Sequence, residues 1–292
     1  MAIKIASSEL ILNADGSIFH LHLKPGQIAN DIILVGDPGR VEMIAEYFDE
    51  IELKAQNREF VTITGRYKGK RITVLSTGIG TDNIDIVINE LDALVNIDLL
   101  TREIKAQKTS LNLIRIGTSG ALQGDIAVDA FLVSQKAIGF DGLMNFYARR
   151  EEIADLAFEN AFKSYTDWNP LLASPYVVDC NQGLYNKITD GDFIPGITIS
   201  APGFYGPQGR ELRLNIVDRH INDKIEAFRY NGMKITNYEM ECSAIYGLSK
   251  LLGHQALTVC IIIANRIRGD ASSDYKPVMK RLVIKILDKL TQ

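Results

Sequence analysis

The chain has 292 residues, of which 46% are hydrophobic and 23% charged, the make-up of an ordinary globular protein with a core of its own. A formal net charge of -4 excludes nucleic acid and anionic membrane as the expected main partners, although a local cationic site can oppose the net sign. Three cysteines, Cys180, Cys242 and Cys260, have no metal or redox spacing and read as free thiols in a reducing compartment. No stretch has the apolar length of a membrane span, and the start, MAIKIASSELILNADGSIFH, has the pattern of neither a signal nor a transit peptide, so a cytoplasmic location is expected.

Along the chain the rhythm is strand, glycine-containing loop, helix, without repeats or linkers, and a single domain over 1–292 is expected. Residues 17–24, SIFHLHLK, alternate and read as a half-exposed strand with His20 and His22 on its outer face. Residues 32–35 form an apolar strand. Asp37 follows as an N-cap and Pro38 as the first helical residue, with Val41, Ile44, Ala45 and Phe48 on one helix face. Residues 71–76, RITVLS, are a second strand, leading through TGIGTDN into a helix lined by Ile84, Val87, Ile88, Leu91, Leu94 and Val95. Residues 111–116, LNLIRI, are a third, ending in Gly117-Thr118-Ser119-Gly120. Further strands are read at 130–133 and 196–200. Residues 234–237 lead into a helix from about 239 to 252, and 256–264, ALTVCIIIA, read as a central strand before an amphipathic helix at 276–290. The alternation predicts a mainly parallel sheet covered on both faces, with ligands at the carboxyl ends of its strands.

Four groups collect at those ends: Gly36 to Arg40, Thr77 to Asn83, Arg115 with Gly117 and Thr118, and the segment NYEMEC at 237–242. Arg115 sits inside an apolar strand, where a permanent charge needs an anionic partner. A core carboxylate and a bound oxyanion both remain open. Arg40 stands in the first turn of a helix, the end that prefers anions, so it is either a surface residue or half of an anion site. Two arginines beside glycine turns favour an oxyanion site. GIGTDN lacks the third glycine of a dinucleotide fingerprint, which argues against a nicotinamide enzyme. Glu239 and Glu241 flank Met240 and either address one ligand together or simply favour a helix N-terminus. The stretch SAPGFYGPQGRELR, 200–213, is either a surface loop or, through Phe204, Gln208 and Arg210, a pocket for a flat heterocycle with carbonyl and N–H edges. The four histidines have no ligand spacing, and no metal is expected.

In order, FHL, GDPGRVEMIA, NREF, STGIG, RIGTSGALQ, FYGPQGR, NYEMEC and ANR span nearly the whole chain. With them the sequence resembles the nucleoside phosphorylases of the purine/uridine phosphorylase superfamily, most closely the uridine phosphorylases. The resemblance implies a three-layer α/β/α sandwich around a central mixed, partly barrel-like sheet. It implies a phosphate site of Gly36, Arg40, Arg115 and Thr118, completed by Arg58 from a neighbouring subunit. It implies ribose contacts from Thr118, Met240 and Glu241, and from His20 reaching across a dimer interface to the 5′-hydroxyl. Phe204, Gln208 and Arg210 are the implied uracil pocket. The implied reaction is reversible phosphorolysis of uridine to uracil and ribose 1-phosphate in pyrimidine salvage, with deoxyuridine or thymidine as further substrates. Arg115, Glu241 and Arg210 are its implied catalytic set, and phosphate is a co-substrate, not a cofactor. A homo-oligomer is implied, with a dimer as minimal unit and a hexamer as a trimer of dimers.

Two stretches depart from the family pattern. Thr81-Asp82-Asn83 stands where bacterial uridine phosphorylases have Gly-Pro-Ser, and Asn83 replaces a serine that, with the residue at Glu59, helps hold a monovalent cation at a subunit interface. After Asn265-Arg266, IRGDASSD departs from the usual uridine pattern. The alternatives are a purine nucleoside phosphorylase of the same superfamily, which needs an acid after the last strand (Asp270 is near in sequence), and a catalytically silent nucleoside-binding homologue. A hydrolytic nucleosidase would not need Arg40, Arg58 and Arg115 together. Removing Arg115 is expected to weaken phosphate use and leave the fold largely intact.

Overall fold

Apolar runs become the strands of a 12-stranded mixed sheet flanked by helices, in a computed structural model that describes residues 4–292. β1 (Asp31–Val35) is buried throughout and runs into α1 (Pro38–Ala45). There the Asp37 carboxylate accepts the Gly39 N–H at 2.9 Å and Pro38 starts the helix, as the sequence predicts. β2 (Glu50–Asn57), β3 (Phe60–Tyr67) and β4 (Lys70–Ser76) form an antiparallel meander, followed by α2 (Thr81–Asn96) with Ile84, Val87, Ile88, Leu91 and Leu94 buried. After the short pair β5 (Ile97–Asp98) and β6 (Glu103–Ile104) come the long strands β7 (Asn112–Ala121) and β8 (Phe131–Gly139). α3 (Leu156–Thr166), β9 (Tyr176–Asp179), α4 (Gln182–Ile188) and β10 (Phe193–Ser200) follow. The chain continues through α5 (Ile221–Ala227), β11 (Arg229–Tyr230), β12 (Met233–Glu239) and α6 (Cys242–Leu252). It closes with β13 (Gln255–Asn265), β14 (Asp270–Ala271) and α7 (Lys276–Thr291).

The strand order is β11-β12-β10-β8-β13-β7-β1-β4-β3-β2. β4, β1, β7 and β13 are parallel, whereas β8 runs antiparallel to β13. β12 also pairs antiparallel with β7, through Asn237 opposite Ala121 and Tyr238 opposite Gly120. That extra pairing closes β7, β13, β8, β10 and β12 into a ring. The sheet is therefore mixed and partly barrel-like, as the family resemblance implies, and less parallel than the strand–helix rhythm alone suggests.

Three sequence expectations change. Residues 17–24 are a turn, not a strand: the His22 N–H bonds to the Ile18 carbonyl and the Ile18 N–H to the Leu23 carbonyl. Folding back buries Ile18, Leu21 and Leu23 together, with His22 at φ 55°, and His20 and His22 no longer share a strand face. β7 does not end at Ile116. It runs on to Ala121 because β13 continues beside it and β12 crosses its end. The helix expected from 239 begins at Cys242, because Glu239 still belongs to β12.

Gly65 sits in β3 opposite Ile51, where β2 shifts register, and a Cβ there would lie 2.3 Å from the Glu50 carbonyl oxygen and 2.5 Å from the Phe48 ring. Gly65→Ala is therefore expected to lower the unfolding free energy by about 2 kcal/mol. Equilibrium urea unfolding checks this, and an unchanged midpoint would contradict the packing described.

Candidate active site

A cavity of about 720 Å³ opens where β1, β4, β7, β12 and β13 end. Its lining includes Gly36, Arg40, Arg115 and Thr118, Met240 and Glu241, and Phe204, Gln208 and Arg210. Residues scattered over more than 200 positions thus meet because they stand at neighbouring strand ends.

Arg115 lines this cavity and is 5% exposed. The closure of the ring explains its partners. β12 runs antiparallel to β7, so the chain leaving Tyr238 travels back along β7 toward Arg115. One guanidinium nitrogen bonds the Glu241 carboxylate directly, and the other lies 3.4 Å from Glu239. Gly117 makes room for this, since a Cβ there would fall 1.9 Å from Arg115 Nη1. Burial opposes the charge on Arg115, but Glu241 and Glu239 more than offset it and hold its pKa above the ordinary guanidinium value. Arg115 Nε is buried without a partner among the described residues, a donor left over beside the cavity. Of the two partners left open by the sequence, the core carboxylate is present.

The two carboxylates each hold a helix start. Glu239 accepts the N–H groups of Glu241 at 3.0 Å and Cys242 at 2.9 Å, at the N-terminus of α6, and the Ser200 hydroxyl at 2.5 Å. Glu241 accepts the Gly80 N–H at 2.9 Å, just ahead of α2. Burial pushes the Glu239 carboxyl above the usual range, with Arg115 opposing and Glu241 adding to the rise. Cys260 lies 3.6 Å from Arg115, but burial pushes its thiol up to about 12, so it is no nucleophile at neutral pH. All three cysteines are free and buried, as expected.

Arg40 is half-buried in the first turn of α1, which contains no acidic residue. The nearby Glu42 pairs with Lys54 at 3.1 Å, and among the described residues no carboxylate pairs with Arg40. A cation at the positive end of a helix, with no internal partner and facing a cavity, is an unsatisfied arrangement that an anion would complete.

The lining contains a further cation, Arg210. The Arg210 guanidinium stacks on Phe204, 3.9 Å from the ring centroid, and donates to the Gln208 side-chain oxygen at 2.6 Å. Arg266, whose role was not foreseen, donates to the Gln208 carbonyl and so fixes the loop. The ANR motif contained the signal, but its reach across the fold was invisible. Burial lowers the pKa of Arg210, with Arg266 adding to the effect, and burial likewise lowers that of Arg266. Among the described residues no carboxylate pairs with either. Phe204, Gln208 and Arg210 thus bring an aromatic face, an amide and a cation to the lining.

Arg58 and His20 do not line the cavity of their own chain. Arg58 is exposed at the tip of the β2–β3 hairpin with φ 53°, and Asn57 beside it donates to the His20 carbonyl at 2.8 Å. The two residues therefore occupy one surface region. Asp270 pairs with Arg268 at 2.6 Å and is not part of the cavity lining. Asn265 is spent on backbone, donating to the Gln123 and Ile126 carbonyls and accepting the Ile267 and Arg268 N–H groups.

Fold and site together define an α/β protein whose cavity is lined by arginines, acids, an amide and an aromatic ring. The sequence profile of the phosphorylase superfamily matches residues 31–288. The chain is 30% identical over 290 residues to the uridine phosphorylase of Thermococcus kodakarensis, covering 98% of this chain and 92% of that one. It is 29% identical to the DeoD-type purine nucleoside phosphorylase of Listeria welshimeri, covering 87% of this chain and 90% of the relative. The crystal structure of a Trypanosoma brucei nucleoside phosphorylase, described as showing uridine phosphorylase activity, aligns with a TM-score of 0.85 at 28% identity, over 97% of this chain and 99% of that one. This chain belongs to the phosphorylase superfamily.

The pairing of Arg115 changes what its removal should do. Arg115→Ala leaves two buried carboxylates without a counter-charge, and the expected loss is about 3–5 kcal/mol of stability, not an intact fold. Urea midpoints of Arg115→Ala and of Arg115→Ala with Glu241→Gln check this: the second substitution should recover part of the loss, and a neutral Arg115→Ala would refute the ion-pair account.

Proposed function

We infer that the protein is a uridine phosphorylase, a pentosyltransferase that carries out reversible phosphorolysis of uridine to uracil and ribose 1-phosphate. One observation carries this reading: a single cavity is lined by Arg40, Arg115, Glu241, Phe204, Gln208 and Arg210. Inorganic phosphate is assigned to Gly36, Arg40, Arg115 and Thr118, with Arg58 of a neighbouring subunit as a further cation. Ribose is assigned to Thr118, Met240 and Glu241, and its 5′-hydroxyl to His20 of a neighbouring subunit. Uracil is assigned to Phe204, Gln208 and Arg210.

In the proposed step a phosphate oxygen attacks the anomeric carbon as its bond to uracil N1 breaks. The bonding pair leaves with the base, the sugar gains oxocarbenium character, and the uracil departs with negative charge. Gln208 and the guanidinium of Arg210, which stays protonated, stabilise that charge by hydrogen bonding. Alignment of the phosphate with the sugar supplies the rest of the acceleration. Glu241 has lone pairs beyond those given to Arg115 and Gly80 and can accept sugar hydroxyls.

The purine alternative lacks support in the geometry, because Asn265 is committed to backbone contacts and Asp270 to Arg268. At the family's cation position, Asn83 turns its amide nitrogen to Glu59 at 3.1 Å. That contact takes up a Glu59 oxygen the ion would otherwise use, and no step is routed through the ion. Placement of Arg58 and His20 outside their own cavity supports a homo-oligomer with a dimer as its minimal unit. Among the described residues no helix is long and apolar enough to cross a membrane, and we assign the protein to the cytoplasm and to pyrimidine salvage.

Uridine, thymidine and inosine, each with and without phosphate, test the assignment by release of free base. Uridine should be cleaved only with phosphate, and turnover of inosine but not uridine would sink the pyrimidine reading. Arg210→Ala is expected to lower kcat on uridine by about 100-fold with little change in the KM for phosphate. Arg40→Ala should instead raise the KM for phosphate, and the absence of that split in steady-state kinetics would overturn the assignment of the two arginines.

A further inference from the structure

His20 is held by one residue that the site assignment does not use. Glu90, on α2, accepts the backbone N–H of His20 at 3.0 Å and of Leu21 at 2.8 Å, and its carboxylate lies 2.7 Å from His20 Nδ1. An ionised carboxylate offers only lone pairs, so Nδ1 carries the hydrogen of this contact. In the neutral ring Nε2 is then the acceptor, and it has no partner among the described residues. Phe19 and Phe60 meet the ring edge-on, with centroids 4.8 Å and 6.5 Å away. The His20 side chain is 26% exposed and Glu90 13%. The result is an imidazole with one nitrogen clamped, its plane held, and the other nitrogen unused by its own chain.

We propose that Glu90 is the positioning residue for His20, fixing the tautomer and orientation in which His20 presents Nε2 to the 5′-hydroxyl of a nucleoside bound in a neighbouring subunit. The proposal rests on the phosphorylase reading above and deepens it. A histidine on a free turn would divide its time among rotamers and both tautomers. One carboxylate that takes two successive backbone N–H groups and the ring N–H removes that freedom in a single contact. Glu90 also couples His20 to α2, whose start is held by Glu241, so the clamp and the sugar site share one rigid element.

The test compares kcat/KM for uridine and for 5′-deoxyuridine. His20→Ala should narrow the preference for uridine by on the order of three- to tenfold, the worth of one hydrogen bond. Glu90→Ala should narrow it as much, with 5′-deoxyuridine turnover little changed, and the double variant should be no narrower than His20→Ala alone. Glu90→Gln keeps the size and an acceptor for the backbone, and carries the test if Glu90→Ala fails to fold. Nitrogen NMR of the His20 ring in the ligand-free protein should report Nδ1–H in the wild type and a loss of that preference in the Glu90 variants. A Glu90 variant that keeps both the wild-type preference and the Nδ1–H signature overturns the proposal. A wild type that cleaves uridine but shows no preference over 5′-deoxyuridine overturns it while leaving the phosphorylase reading intact. No phosphate-dependent release of uracil at all would instead overturn that reading.

Discussion

Everything around the cavity depends on one buried charge cluster, Arg115 between Glu241 and Glu239. A guanidinium in the middle of an apolar strand is tolerable only with counter-charge at hand. The fold supplies it by crossing β12 over β7, and Gly117 supplies the space. The same carboxylates bond N–H groups at the starts of α6 and α2. Sheet, helices and cavity wall are thus tied at one point, and the side chains that face a ligand are those that hold the architecture.

The cluster also makes sense of Arg40. Arg115 is paired with Glu241 and Glu239, whereas Arg40 lines the same cavity from the positive end of α1 and, among the described residues, pairs with no carboxylate. Arg210 and Arg266 lie close enough for Arg266 to act on Arg210, and burial lowers both pKa values. Arginines at a cavity in a protein of net charge -4 show how little net charge says about a site.

Similarity alone does not divide pyrimidine from purine substrates, since relatives named for each are 30% and 29% identical. The division rests on what individual side chains are free to do. Asn265, the last residue of β13, has its amide consumed by four backbone groups. Gln208 keeps its side-chain amide at the cavity because Arg266 and Asn222 take its backbone carbonyl instead.

Much of this was legible in the linear chain. Asp37 and Pro38 specify a helix start by local hydrogen bonding and a preset φ, and the periodicity of 84–95 specifies which face of α2 is buried. The ordered motifs brought nine of the expected site residues to one cavity. β2 and β3 were not legible in the linear chain, because β2 is largely exposed and β3 is buried almost throughout, so neither shows a clean alternation. The turn at 17–24 misled because alternation is a local pattern, whereas burying Ile18, Leu21 and Leu23 against the core is a tertiary demand. By itself, then, the sequence determined the helix caps, the apolar strands and the identity of the charged groups at the strand ends, all of them properties of neighbours in the chain. Only the tertiary structure decided that Arg115 is paired, that Arg40 is not, and that His20 is clamped by Glu90. Each of those depends on a contact between segments far apart in sequence, made when the sheet closes or a helix packs.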